Sequence, residues 1–205
     1  GGTFNPYDKG FVSGNRNAAS TLRRGIAGSV PHYQINDAKE ACWAFEPTQA
    51  VNYCEAHDNN TLWDKLCISA KNDSEGVRIK MDKLAAAIVI LSQGMPFIQL
   101  GQDFLRSKPR ILKEGEAPND VNIYSHDSYN APDYTNSIKW NRKLEYKEVF
   151  EYYKALIRLR KGSPLFRMYT KEDVNAHLHF MHNDDWNCVS WKIKKDGECY
   201  VIALN

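Results

Sequence analysis

From Ile79 to Leu91 helix-forming residues run almost without interruption, and the last eight of them, Leu84 to Leu91, are all apolar. A helix that is apolar on every side has to be covered on every side, so this segment belongs inside an α/β layer and not on a surface. Two β-favouring segments flank it: Ala50-Val-Asn-Tyr-Cys-Glu-Ala before it, and Phe97-Ile98-Gln99-Leu100 after it. The first stops at the polar run His57-Asp58-Asn59-Asn60, after which Thr61 is placed to cap a helix through Ala70, with Asp64 three residues on in a capping-box-like position. Gly94 ends the apolar helix and Gly101-Gln102-Asp103 turns the chain after the second strand. Strand, helix and strand within about 50 residues make the βαβ unit of a parallel sheet.

The flanks have other textures. The first forty residues are loop-like, with one short helix expected near Leu22 to Gly28, and 108–140 form a long irregular stretch of Asn, Asp, Ser, Pro and Tyr. Loops of that length inside a compact domain usually carry function. An amphipathic helix is expected over Glu145 to Lys161, with Val149, Tyr152, Tyr153, Leu156 and either Leu159 or Arg160 on its apolar stripe; Gly162 and Pro164 stop it. The period then becomes two. Leu178 and Phe180, then Val189, Trp191 and Ile193, then Tyr200, Ile202 and Leu204 alternate with other residues, and Asp196-Gly197 signals a hairpin between the last two strands. The parallel α/β pattern therefore gives way to an antiparallel β unit near residue 165.

Composition removes several function classes. With 27 Lys and Arg against 25 Asp and Glu the net charge is +2, which lacks the basic excess of a nucleic-acid binder. An eight-residue apolar run is far short of the roughly 20 residues of a membrane-spanning helix. The five cysteines are odd in number and without CxxC spacing, which favours free thiols over a zinc ribbon or a paired disulfide set.

The densest chemical signal is the run from Asn52 to Leu66. His57, Asp58 and Asn59 would stand at the carboxyl end of a strand, where parallel sheets and (β/α)8 barrels collect their catalytic groups. A histidine and a carboxylate side by side, flanked by amides, can grip vicinal hydroxyls, since each hydroxyl takes a donor and an acceptor. Metal ligation by Glu55, His57 and Asp58 is the competing arrangement, and a turn whose Asp58 merely satisfies backbone amides is the plain structural one.

The run YCEAHDNNTLWDKL resembles the fourth conserved region of the α-amylase superfamily, glycoside hydrolase family 13, and its tail NTLWDKL is similar to type I pullulanases. LAAAIVILSQGMPFIQLGQDFLRSK, HDSYNAPDYTNSIKW and a helix leading into β strands agree in order. The resemblance implies an α/β fold: the closing part of a (β/α)8 barrel over 1–165, followed by the first strands of an antiparallel β-sandwich over 166–205. It implies a starch-debranching hydrolase acting on α-1,6 links of pullulan, amylopectin and limit dextrins, with no redox cofactor and with calcium compatible with the complete enzyme. Asp58 then matches the carboxylate after barrel strand seven that steadies the transition state, and His57 and Asn59 match its sugar-binding neighbours. In the long loop Tyr129, Asp133 and Asn136 match further substrate-binding positions, while Ser137 stands where some pullulanases carry arginine. The family's nucleophile and acid lie in GFRFD- and GEPW-type motifs, and neither occurs here. A piece of a longer enzyme, completed by the upstream barrel and inactive by itself, is the expectation. A non-catalytic α-glucan-binding protein, and an isoamylase- or α-amylase-type enzyme, are the alternatives.

Overall fold

A computed structural model describes residues 5–36, 42–182 and 188–205. Its described residues form two compact units, one from 5–13, 53–86 and 98–154, the other from 14–36, 42–52, 87–97, 155–182 and 188–205. The elements in chain order are α1 (Ala19–Ile26), β1 (Val51–Asn52), α2 (Leu62–Ser69), α3 (Glu75–Leu91), β2 (Met95–Pro96), α4 (Asp133–Asn136), α5 (Arg142–Glu145), α6 (Lys147–Gly162), α7 (Lys171–His177), β3 (Leu178–Phe180), β4 (Val189–Lys195) and β5 (Glu198–Leu204).

In the second unit β1 and β2 pair in parallel, Val51 opposite Met95 and Asn52 opposite Pro96. The crossover through α3 is therefore present, but both strands are short. The segment expected as a buried strand over 50–56 forms a paired strand only at Val51–Asn52, and Val51 and Met95 are about half exposed. The second strand lies at Met95–Pro96 and not at 97–100. Its ladder is set by two donors, Met95 N–H to the Ala50 carbonyl at 2.8 Å and Phe97 N–H to the Asn52 carbonyl at 2.9 Å. Pro96 falls between them, at the one residue of the three from which the ladder asks no N–H. Gly94 starts this strand with φ +97°, where an added Cβ would lie 2.9 Å from the Ala50 carbonyl oxygen.

The antiparallel part agrees with the period-two pattern. β3, β4 and β5 pair in that order, and Lys195 opposite Glu198 closes a two-residue turn at Asp196 and Gly197, both with positive φ. Leu178, Val189, Trp191 and Ile193 are fully buried, and α1 and α7 lie against β4. Helix α7 interrupts the expected all-β texture. Its start was legible in Thr170-Lys-Glu-Asp173, for the Thr170 hydroxyl accepts the Asp173 N–H at 3.1 Å, a standard N-cap.

In the first unit α2 is capped as expected, the Thr61 hydroxyl accepting the Asp64 N–H at 3.1 Å. Its apolar residues Leu62 and Leu66 pack with Ala85 of α3, and Val12, Cys54 and Met81 close around them. Trp63, 8% exposed, packs near Tyr146. Cys54, Cys67 and Cys199 carry free thiols; the first two are half-buried and Cys199 is exposed. Among the described residues no helix is long and apolar enough to cross a membrane.

Candidate active site

After β1 the chain enters a tight polar turn. Asn59 adopts the left-handed region with φ +64°, a conformation Asn tolerates better than most residues. His57 and Asp58 are both exposed on this turn, and His57 Nδ1 lies 3.0 Å from Asp58 Oδ1. That bond orients the carboxylate and leaves Asp58 Oδ2 and His57 Nε2 outside the pair.

Glu55 behaves differently. It is 5% exposed, and its Oε2 accepts the Leu62 N–H at 2.5 Å, so its carboxyl supports the start of α2. The arrangement divides the three acids and imidazoles of the metal-ligation alternative between interior and solvent. Among the described residues no group of three His, Cys, Asp or Glu side chains is placed to hold a metal ion.

Burial pushes the Glu55 carboxyl up to about 8, with the Asp82 and Asp64 charges adding to the rise. Asp82, fully buried, is pushed up to about 7 by the same loss of solvent, against the opposing hydrogen bond from the Tyr153 hydroxyl at 3.0 Å. Both acids therefore hold their protons in the folded chain at pH values where an unfolded chain has released them. Their stabilisation is complete below the ordinary carboxylate range and is lost as pH rises toward 8. Each pKa difference of one is worth about 1.4 kcal/mol, so the fall is on the order of several kcal/mol. Thermal unfolding at pH 5 and pH 8 is expected to show a lower midpoint at pH 8, and Glu55→Gln, which keeps an acceptor for Leu62, is expected to reduce the difference. An unchanged difference in the variant would remove Glu55 as its source.

Asp64 does not complete a capping box. Its carboxylate, wholly buried, turns to the long loop instead: Oδ1 accepts the Ser107 hydroxyl at 2.5 Å and Oδ2 accepts the Lys108 N–H at 2.8 Å. Lys108 is 1% exposed. Its ammonium donates to the His57 carbonyl at 3.0 Å, to the Asn59 carbonyl, and to the Ser128 hydroxyl at 3.2 Å. Nothing in the sequence marked this residue, because a loop lysine is by default a solvated one.

The loop residues singled out by sequence are held as follows. Tyr129, next to Ser128, is 85% exposed. Asp133 opens α4 and is exposed, whereas the Asn136 side-chain amide donates to the Ser128 carbonyl at 2.7 Å and the Ala131 carbonyl at 3.1 Å. Asn136 thus closes the loop on itself and commits its N–H groups to backbone. Ser137 is exposed, and the cation beside it is Lys139, whose ammonium donates to the Ser137 hydroxyl at 2.5 Å and the Tyr134 carbonyl at 2.8 Å. Tyr134 and Trp140 present more exposed aromatic surface on the same stretch. His57, Asp58 and Asn59 are brought together on one turn, and Lys108 links that turn to the loop carrying Tyr129 and Asn136.

The chain matches no family model. It is 35% identical over 178 residues to a pullulanase of Bacillus subtilis, a match that covers 87% of this chain and 22% of the relative. The solved structure of a pullulanase from Bacillus acidopullulyticus superposes with a TM-score of 0.80 at 36% identity, covering 95% of this chain and 21% of that one. A pullulanase from Paenibacillus barengoltzii in complex with maltohexaose and α-cyclodextrin gives a TM-score of 0.80 at 35% identity, over 95% of this chain and 27% of that one. The chain is homologous to one part of a pullulanase. It spans about a quarter or less of the length of these pullulanases. The α/β character of the fold agrees with theirs, and the exposed His57–Asp58 turn lies within a pullulanase-like chain.

Proposed function

We propose that this chain contributes the closing part of a (β/α)8 barrel and the first strands of a β-sandwich to a pullulanase-like glycoside hydrolase, with the change between them near residue 165. The substrate class is α-glucan with α-1,6 branches: pullulan, amylopectin and limit dextrins. The observation that carries this reading is the exposed His57–Asp58 pair on a turn tied to an aromatic loop, within a chain 35% identical to a pullulanase. The half-exposed Val51 and Met95 on a two-stranded parallel sheet support the upstream partner, since parallel strands are ordinarily covered on both faces.

Cleavage proceeds with retention. One carboxylate attacks the anomeric carbon, a carboxylic acid protonates the leaving oxygen, and water later releases the sugar from the covalent intermediate. Both reacting carboxyls come from upstream of this chain. Asp58, oriented by His57, holds sugar hydroxyls and opposes the positive charge that builds on the ring, contacts that are stronger in the transition state than in the ground state. Asn59, Tyr129 and Asp133 line the sugar path, Tyr129 offering an apolar face and a hydroxyl; Asn136 shapes that loop. This hydrolysis requires no cofactor.

The test is release of reducing sugar from pullulan by this polypeptide and by the complete protein. Only the complete protein is expected to release maltotriose. Cleavage by the 205 residues alone would place the reacting carboxyls within this sequence and overturn the division of labour; a complete protein that leaves α-1,6 links intact would overturn the debranching assignment.

A further inference from the structure

We propose that Lys108 is a positioning residue that fixes the carboxylate of Asp58 by holding the backbone on both sides of it and joining it to the loop that presents Tyr129. The inference rests on the function proposed for Asp58. An ammonium has three N–H donors and no acceptor, and here each donor has a partner: the carbonyl before Asp58, the carbonyl after it, and the Ser128 hydroxyl. Two of these acceptors bracket a residue that is itself exposed and makes a side-chain bond to its neighbour His57. The same two bonds hold the turn at Asn59, whose φ of +64° lies in the left-handed region.

Lys108 is in turn fixed at its own backbone. Its N–H donates to Asp64 of α2, and its carbonyl accepts the Ser125 N–H at 2.8 Å. The chain of contacts runs from a capped helix through a buried carboxylate to the Lys108 backbone, and from its ammonium to the turn on one side and Ser128 on the other. Ser128 passes it on, since its carbonyl accepts the Asn136 amide. Burying a lysine is costly unless its donors are all used; a surface lysine would not be drawn in merely to fill space. The titratable groups facing the ammonium are Arg106, Asp64, Glu55 and Asp58; burial and the Arg106 cation lower its proton affinity and the three carboxyl groups act the other way.

The experiment uses the complete protein acting on pullulan, with kcat and KM measured separately for Lys108→Met, Asp58→Asn and the double variant. Lys108→Met keeps the aliphatic stem and removes the donors. It is expected to lower kcat about 100-fold, the cost of a displacement near 1 Å at a reacting centre, with a smaller rise in KM. In the Asp58→Asn background the same substitution is expected to cost about threefold or less, because the carboxylate it positions is gone. Equal losses in both backgrounds would make Lys108 a general structural residue and overturn the inference, as would an unchanged kcat. Should Asp58→Asn alone leave turnover intact, the function proposed for Asp58 fails, and the inference with it, whatever Lys108 does. If Lys108→Met does not fold, Ser128→Ala decides: loss of one acceptor is expected to lower kcat several-fold at an unchanged melting temperature, and an unchanged kcat overturns the coupling.

Discussion

Asp58→Asn in the complete protein is expected to lower kcat on pullulan by about 10³-fold or more, roughly 4 kcal/mol of transition-state stabilisation. Asparagine keeps the size of the side chain and one acceptor oxygen but removes the negative charge. That charge matters only once the sugar ring becomes oxocarbenium-like, so KM is expected to change far less than kcat. The substitution is a clean probe because Asp58 is exposed and its side chain bonds His57 on the same turn, outside any packed core. Surface changes of this kind alter stability by about 0.5 kcal/mol or less. Turnover near that of the parent, with an intact fold, would remove Asp58 from the chemistry.

The largest effect on stability is expected at Arg160. From α6 its guanidinium reaches the end of α3, donating through Nη1 to the Ile90 carbonyl at 2.8 Å and the Ser92 carbonyl at 2.6 Å, and through Nη2 to the Gly94 carbonyl at 2.5 Å. The last carbonyls of a helix have no intrahelical donor, and a cation there also opposes the negative end of the helix dipole. Burial lowers the guanidinium to about 10, still well above neutrality, so the group stays charged. Arg160→Met retains much of the packing of the stem and leaves three acceptors without their donor. At about 1 to 3 kcal/mol for each buried group left unsatisfied, with water relieving part of it, the loss is expected to be on the order of 4 kcal/mol. Denaturant unfolding would show it as a large drop in midpoint at constant m-value; a change under about 1 kcal/mol would mean that water replaces the arginine fully. Arg160→Lys is expected to recover only part, because an ammonium lacks the planar fork that spans three carbonyls.

Both residues show where sequence pattern suffices and where it stops. Asp58 stood out because His, Asp and two Asn follow a β-favouring run, and a short-range motif of that kind survives whatever the rest of the chain does. The buried α3, the α2 cap at Thr61, the irregular 108–140 loop and the Asp196-Gly197 hairpin were legible for the same reason: each depends on residues within one turn or one strand of each other. For α6 the pattern left Leu159 and Arg160 equal candidates for the buried stripe. The structure buries Arg160 and leaves Leu159 37% exposed, because the helix meets carbonyls at that point and not apolar side chains. Likewise strand β1 is shorter than the segment expected for it and β2 lies two residues before its expected start, since parallel pairing is set by the partner's register and by which N–H groups point across.

By itself, then, the sequence determined the buried crossover helix, the antiparallel unit and the polar turn at His57–Asn59, all of them local consequences of side-chain period and backbone preference. Only the tertiary structure decided that Lys108 is buried against that turn, that the Asp64 carboxylate reaches the long loop, and that Glu55 faces the interior while Asp58 faces solvent. The placements of Lys108 and Asp64 depend on hydrogen bonds between residues 40 or more positions apart, and a polar side chain carries no local mark of which distant partner will satisfy it.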